Sequence, residues 1–128
     1  MNIRGQFERI VRFLESAPWR QFWEDAAIEV TSFAILELNE NAPDSLIWQT
    51  CQNRGVVLFT GNRNRKGRDS LEEAIRTFNR VDSLPVVTLS DPIRFLYDGV
   101  YAERAAIRLL EYLIDLDKHR GAGRLFIP

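Results

Sequence analysis

Two short apolar runs, Val56-Val-Leu-Phe-Thr60 and Pro85-Val-Val-Thr-Leu89, are joined by a stretch with a helical signature. A strand that is apolar along its whole length has to be covered on both faces. Connecting two such strands through a helix demands a right-handed crossover and therefore parallel pairing. Arg124-Leu-Phe-Ile127 reads as a further short strand, and Ile28-Glu-Val-Thr-Ser-Phe33 alternates in the manner of a half-buried one. The pattern predicts one α/β domain over 1–128, three-layered, with a mainly parallel sheet of about four strands flanked by helices.

The helices announce themselves by spacing and by their ends. Phe7, Ile10, Val11 and Leu14 recur at i, i+3, i+4, i+7, and Pro18 closes that segment before the aromatic turn Trp19, Phe22, Trp23. Asn39 to Pro43 is a polar turn, Asp44 or Ser45 can cap the helix that follows, and Gly55 is placed to end it in a left-handed conformation. After a basic segment bounded by Gly61 and Arg68, Asp69 or Ser70 can open the next helix, with Glu72 and Glu73 in its first turn. Asp91-Pro92 reads as a cap followed by a first-turn proline. Tyr101 to Leu116 is a long helix presenting Ala105, Leu109, Tyr112, Leu113 and Leu116 to the core, broken by Gly121 to Gly123.

Composition narrows the chemistry. A single cysteine and a single histidine exclude an internal disulfide, a cysteine-based zinc site and any histidine pair. No apolar run approaches a membrane span and no signal segment leads the chain, so a cytoplasmic, membrane-free protein is expected. Net charge is −1 overall, yet it is unevenly spread: residues 1–53 sum to −4, residues 54–80 to +4 and residues 81–128 to −1. The middle segment is thus the place where a phosphate backbone would be met, through Arg63, Arg65, Lys66 and Arg68. The alternative is an ordinary solvated basic loop.

Several catalytic classes drop out. There is no Gly-x-Ser-x-Gly elbow, and Gly61-Asn-Arg-Asn-Arg-Lys-Gly67 lacks the Gly-Lys-Ser/Thr of a phosphate loop. Carboxylates remain. In a parallel sheet the working crevice lies beyond the carboxyl ends of the strands. Asp44, the exit from Thr60 through Asn62, and Asp69 with Glu72 would all gather there. Asp44, Asn62, Asp69 and Glu72 are hard oxygen donors suited to Mg²⁺ or Mn²⁺, an ion that can orient water toward a phosphodiester. Asp44 and Asp69 also stand where helices want caps, which is the competing use for them.

The segments Pro43-Asp-Ser-Leu-Ile-Trp48, Val57-Leu-Phe-Thr-Gly-Asn-Arg-Asn64, Asp69-Ser-Leu-Glu72 and Gly121-Ala-Gly-Arg-Leu-Phe-Ile-Pro128 together resemble the PIN-like family. The likeness is strongest to small bacterial members common in cyanobacteria, related to proteins found beside toxin–antitoxin partners. It implies a parallel α/β fold and descent from Mg²⁺- or Mn²⁺-dependent ribonucleases built on three or four acidic residues. By resemblance Asp44 and Asp69 take catalytic positions, whereas Gly61 stands where relatives often carry an aspartate. Met1-Asn-Ile-Arg-Gly-Gln6 matches the segment just after the family's first strand, so that strand and its aspartate are expected to be missing. With those acidic positions unfilled, the expectation is a nuclease-derived protein of weak or absent activity, or else a non-catalytic interaction or assembly module on the same scaffold. Since the family's first strand lies mid-sheet, its loss further implies partners other than RNA, a second copy or another protein, that complete the sheet. Elsewhere, Trp48, Cys51 and the Trp19/Trp23 pair read as core, and His119 as a surface residue at a helix end.

Overall fold

The computed structural model describes residues 4–16, 18–39, 41–61 and 70–128, with the side chains of 4–6 left aside. Its helices are α1 (Arg4–Leu14), α2 (Arg20–Asp25), α3 (Asp44–Arg54), α4 (Leu71–Phe78), α5 (Pro92–Tyr97) and α6 (Gly99–Ile114). The strands are β1 (Phe59–Thr60), β2 (Val86–Leu89) and β3 (Arg124–Ile127), and a 3₁₀ turn, Leu116–His119, leads into β3.

The sheet is wholly parallel in the order β1-β2-β3. Phe59 stands opposite Val87 and Thr60 opposite Thr88, while Val86 to Leu89 pair in register with Arg124 to Ile127. All four residues of β2 are buried, as a central strand covered on both faces requires. On one face Val87, Leu89 and Ile127 pack with Ile10 and Leu14 of α1, Phe95 of α5 and Ala105, Ala106, Leu109 and Leu110 of α6. On the other, Val86 packs with Trp48 of α3 and with Leu71 and Ala74 of α4. A smaller cluster of Leu36, Ile47 and Cys51 sits beneath the connection into α3. Three layers result, and the apolar helix spacing of α1 and α6 follows directly from them.

Element ends behave as local chemistry dictates. Gly55 closes α3 at φ +66°, where a side chain would be strained. The Asp91 carboxylate accepts from the Arg94 amide at 3.0 Å ahead of Pro92, and that of Asp98 accepts from the Tyr101 amide at 3.1 Å. The α6 helix therefore starts two residues before the expected Tyr101 and stops at Ile114. Trp19 to Trp23, read as a turn, enters a short true helix, and Trp23 is buried.

Two expectations need correction. Ile28–Phe33 is not a strand; the described sheet has three strands, not four. Ala27 turns the chain at φ +52°, and Ser32 starts a tight turn whose carbonyl accepts from the Leu36 amide at 3.1 Å. The alternating apolar residues are satisfied by packing instead: Ile28 against the α1/α6 core and Phe33 against the Leu36 cluster. β1 is likewise shorter than Val56–Thr60, although the Leu58 carbonyl still accepts from the Val87 amide at 2.9 Å. The described strands are direct neighbours, so no slot opens between them for an absent central strand.

Candidate functional site

The carboxyl edge of the sheet is where the chain gathers its polar side chains. α3 and α4 each follow the α/β rule of running back along the strands, which brings both helix starts to that edge. Ser70 caps α4, its Oγ accepting from the Glu73 amide at 3.1 Å. Asp44, the first residue of α3, does not cap its own helix, since Pro43 takes that place. Its Oδ2 accepts instead from the Leu71 amide at 3.1 Å. A partly buried carboxylate thus faces the positive end of α4 and bonds one of the amides that the helix itself leaves unsatisfied.

Glu72 lies one residue further on, and it is spoken for as well. Arg124 opens β3, paired in the ladder with Val86, and its guanidinium runs along the sheet face toward the carboxyl edge. Nη1 donates to Thr88 Oγ1 at 2.5 Å, and Nη2 stands 3.2 Å from Glu72 Oε2. The arginine side chain is 10% exposed and the glutamate 34%, so the pair is largely withdrawn from water. A guanidinium held this deep requires a carboxylate beside it, because an unpaired buried charge costs several kcal/mol. Thr88, fully buried in the central strand, completes the arrangement.

Of the sequence-derived donors, then, Asp44 and Glu72 lie at one edge of the sheet, on the same two helix starts. Asp69 and Asn62 fall outside the described residues, as do Arg63, Arg65, Lys66 and Arg68. Gly61, buried at the exit of β1, brings no carboxylate there. Among the described residues no three histidine, cysteine, aspartate or glutamate side chains cluster as metal ligands would. Asp44 is turned to a helix terminus and Glu72 to a guanidinium.

Sequence reasoning missed Arg124 and Thr88, although one signal was present: an arginine leading an otherwise apolar strand is out of place unless paired. It also missed Gln52. From the last turn of α3 the Gln52 amide donates Nε2 to the Leu84 carbonyl at 2.8 Å and accepts from the Leu84 amide at 2.9 Å, copying a strand partner just ahead of β2. Trp48 and Cys51 are buried as expected, and burial pushes the Cys51 thiol up from its usual range. His119 rests edge-on against Tyr112 at 4.8 Å on the surface turn before β3. No helix among the described residues is long and apolar enough to cross a membrane. No family model matches the chain, and neither the curated proteins nor the solved structures yield a match.

Proposed function

We propose that this chain is a PIN-like domain of metal-dependent ribonuclease ancestry whose acidic edge has passed from catalysis to structure, leaving a non-catalytic interaction module. One observation carries the reading: two of the described carboxylates at the carboxyl edge, Asp44 and Glu72, are engaged by the start of α4 and by the Arg124 guanidinium. Carboxylates that neutralise protein charge are poor at neutralising a hydrated Mg²⁺ or Mn²⁺. The basic run Arg63, Arg65, Lys66 and Arg68 favours RNA as the ligand held beside that edge.

The test combines binding with cleavage. Labelled single-stranded RNA should bind with an affinity that falls steeply with salt and should stay intact in Mg²⁺ or Mn²⁺. Replacing Arg63 and Arg65 together by alanine should lower the salt slope by about 1.4 units, roughly 0.7 for each lost phosphate contact. Metal-dependent cleavage that disappears in Asp44→Asn or Asp69→Asn would overturn the non-catalytic reading. Binding indifferent to salt and to the arginine pair would remove RNA from it.

A further inference from the structure

Asp98-Gly99 is the one Asp-Gly step in the sequence, and no asparagine is followed by glycine or serine. Such a step is where a polypeptide most easily cyclises on itself. With no Cβ to shield it, the glycine nitrogen can attack the carboxyl carbon of the preceding side chain. In this fold the step stands at the junction of α5 and α6, Gly99 being the first residue of α6. Gly99 is exposed, and a Cβ built there would meet nothing within 4 Å, so water reaches the peptide freely.

The folded chain holds the reacting groups back. Asp98 Oδ1 accepts from the Tyr101 amide at 3.1 Å and Oδ2 from Arg94 Nε at 2.9 Å. Both bonds favour the carboxylate and hold its pKa below the usual range, whereas cyclisation expels water from the protonated acid. Along the backbone, the Asp98 amide donates to the Arg94 carbonyl at 2.9 Å, and the Asp98 carbonyl accepts from the Ala102 amide at 3.0 Å. At ψ +99° the Gly99 nitrogen is turned away from Asp98 Cβ, and ring closure requires the two to eclipse about the Cα–C bond. Turning that bond carries the Asp98 carbonyl away from Ala102 and unwinds the first turn of α6.

We propose that Asp98-Gly99 is a modification site, the position at which this chain converts to isoaspartate, and that conversion runs only through molecules whose α5–α6 junction has opened. Local openings of this kind cost less than global unfolding. In the open form the Gly99 nitrogen attacks Asp98 Cγ: an N–C bond forms, the nitrogen gives up its proton, and the carboxyl hydroxyl leaves as water. A water molecule then opens the cyclic imide. Cleavage between nitrogen and Cγ restores aspartate, and cleavage between nitrogen and the former main-chain carbonyl leaves the backbone running through Cβ. The mass of the chain is unchanged, but the cap is not. The carboxylate now sits directly on Cα and the main chain is one methylene longer, so the bond to the Tyr101 amide is lost in its present geometry and α6 begins without its cap. The inference rests on this junction alone and is independent of the reading of the carboxyl edge.

Incubation at mildly acid pH and body temperature tests it, with peptide mapping by fragmentation that separates the two isomers and enzymatic carboxyl methylation to count isoaspartate. In urea, isoaspartate should form at Asp98 ahead of every other aspartate, and in the folded chain it should form there at least about tenfold more slowly. Arg94→Ala should speed conversion of the folded chain about two- to fivefold, as loss of an exposed ion pair allows, and leave the rate in urea unchanged. Gly99→Ala, which the open space accommodates, should slow conversion severalfold in urea because the added Cβ shields the nitrogen. Equal rates in the folded chain and in urea would overturn the proposal. So would the absence of isoaspartate at Asp98 in both states, or a folded rate indifferent to Arg94→Ala.

Discussion

Gln52 offers the sharpest test of how β2 is positioned. Its amide grips Leu84 twice, at 2.8 and 2.9 Å, and Leu84 is buried. Gln52→Leu removes both bonds. Each is worth about 0.5–1.5 kcal/mol net, and a Leu84 amide or carbonyl left dry would add about 1–3 kcal/mol. Gln52 is only partly buried, so water reaches the vacated groups and the lower part of that range applies, about 2–3 kcal/mol in all. Urea titration should show this as a lower midpoint at unchanged slope. Gln52→Glu refines the argument. Its carboxylate can still accept from the Leu84 amide but opposes the Leu84 carbonyl, so its folded pKa must be raised above the unfolded value. The protonated acid, by contrast, can donate as the amide does. Its stability deficit against the native chain should therefore be full above the raised folded pKa and shrink as pH falls toward the ordinary glutamate value. A Gln52→Leu cost below about 1 kcal/mol, or a Gln52→Glu deficit that ignores pH, would refute the assignment of Gln52 as a substitute strand partner.

Other outcomes follow from single positions. Gly121 has φ +85°, and a Cβ there would lie 2.8 Å from the Val81 carbonyl oxygen, whereas at Gly55, φ +66°, it would meet nothing within 4 Å. Gly121→Ala should thus cost about 3 kcal/mol or more and Gly55→Ala about 1 kcal/mol, compared by thermal melting. The Tyr101 amide first, and then Arg94, hold the Asp98 carboxyl below its usual range. That contribution is present above the unfolded carboxylate pKa and lost as pH falls through the folded one, so Asp98→Asn should flatten the acid limb of a stability–pH curve. Cys51, buried with a raised thiol pKa, should react with Ellman's reagent at least about a hundredfold more slowly than a free thiol until denaturant opens the core.

The strand–helix alternation was legible wherever the residues carried their own instructions. Val86 to Leu89 had to be covered on both faces, Gly55 had to end a helix, and Asp91-Pro92 had to begin one. Ile28 to Phe33 misled because alternation reports which side chains are buried, not whether a ladder partner exists; Ala27 and Ser32, which turn the chain away, are ordinary residues in sequence. The site was legible only in composition. That Asp44 and Glu72 would reach the carboxyl edge followed from helix polarity. What each would bind there did not, because Leu71 is 27 positions from Asp44, and Arg124 lies on the last strand. Capping is one of the two uses that the sequence allows Asp44. The helix it serves is α4 rather than its own, and no local pattern encodes that.

The contact between Arg124 and Thr88 also bears on how the sheet finds its alignment. Val86, Val87 and Leu89 are all apolar, and apolar clusters lie on both sides of β2. Sliding the strand by one residue would exchange its faces yet still bury hydrocarbon against hydrocarbon, so greasiness alone distinguishes the alignments poorly. Thr88 is the single polar residue in that strand, and only the observed alignment presents its hydroxyl to the Arg124 guanidinium. The pair acts as a key cut for one lock position. Thr88→Val should accordingly leave the chain folded while broadening the amide resonances of β2 and β3, as the strand begins to sample neighbouring alignments.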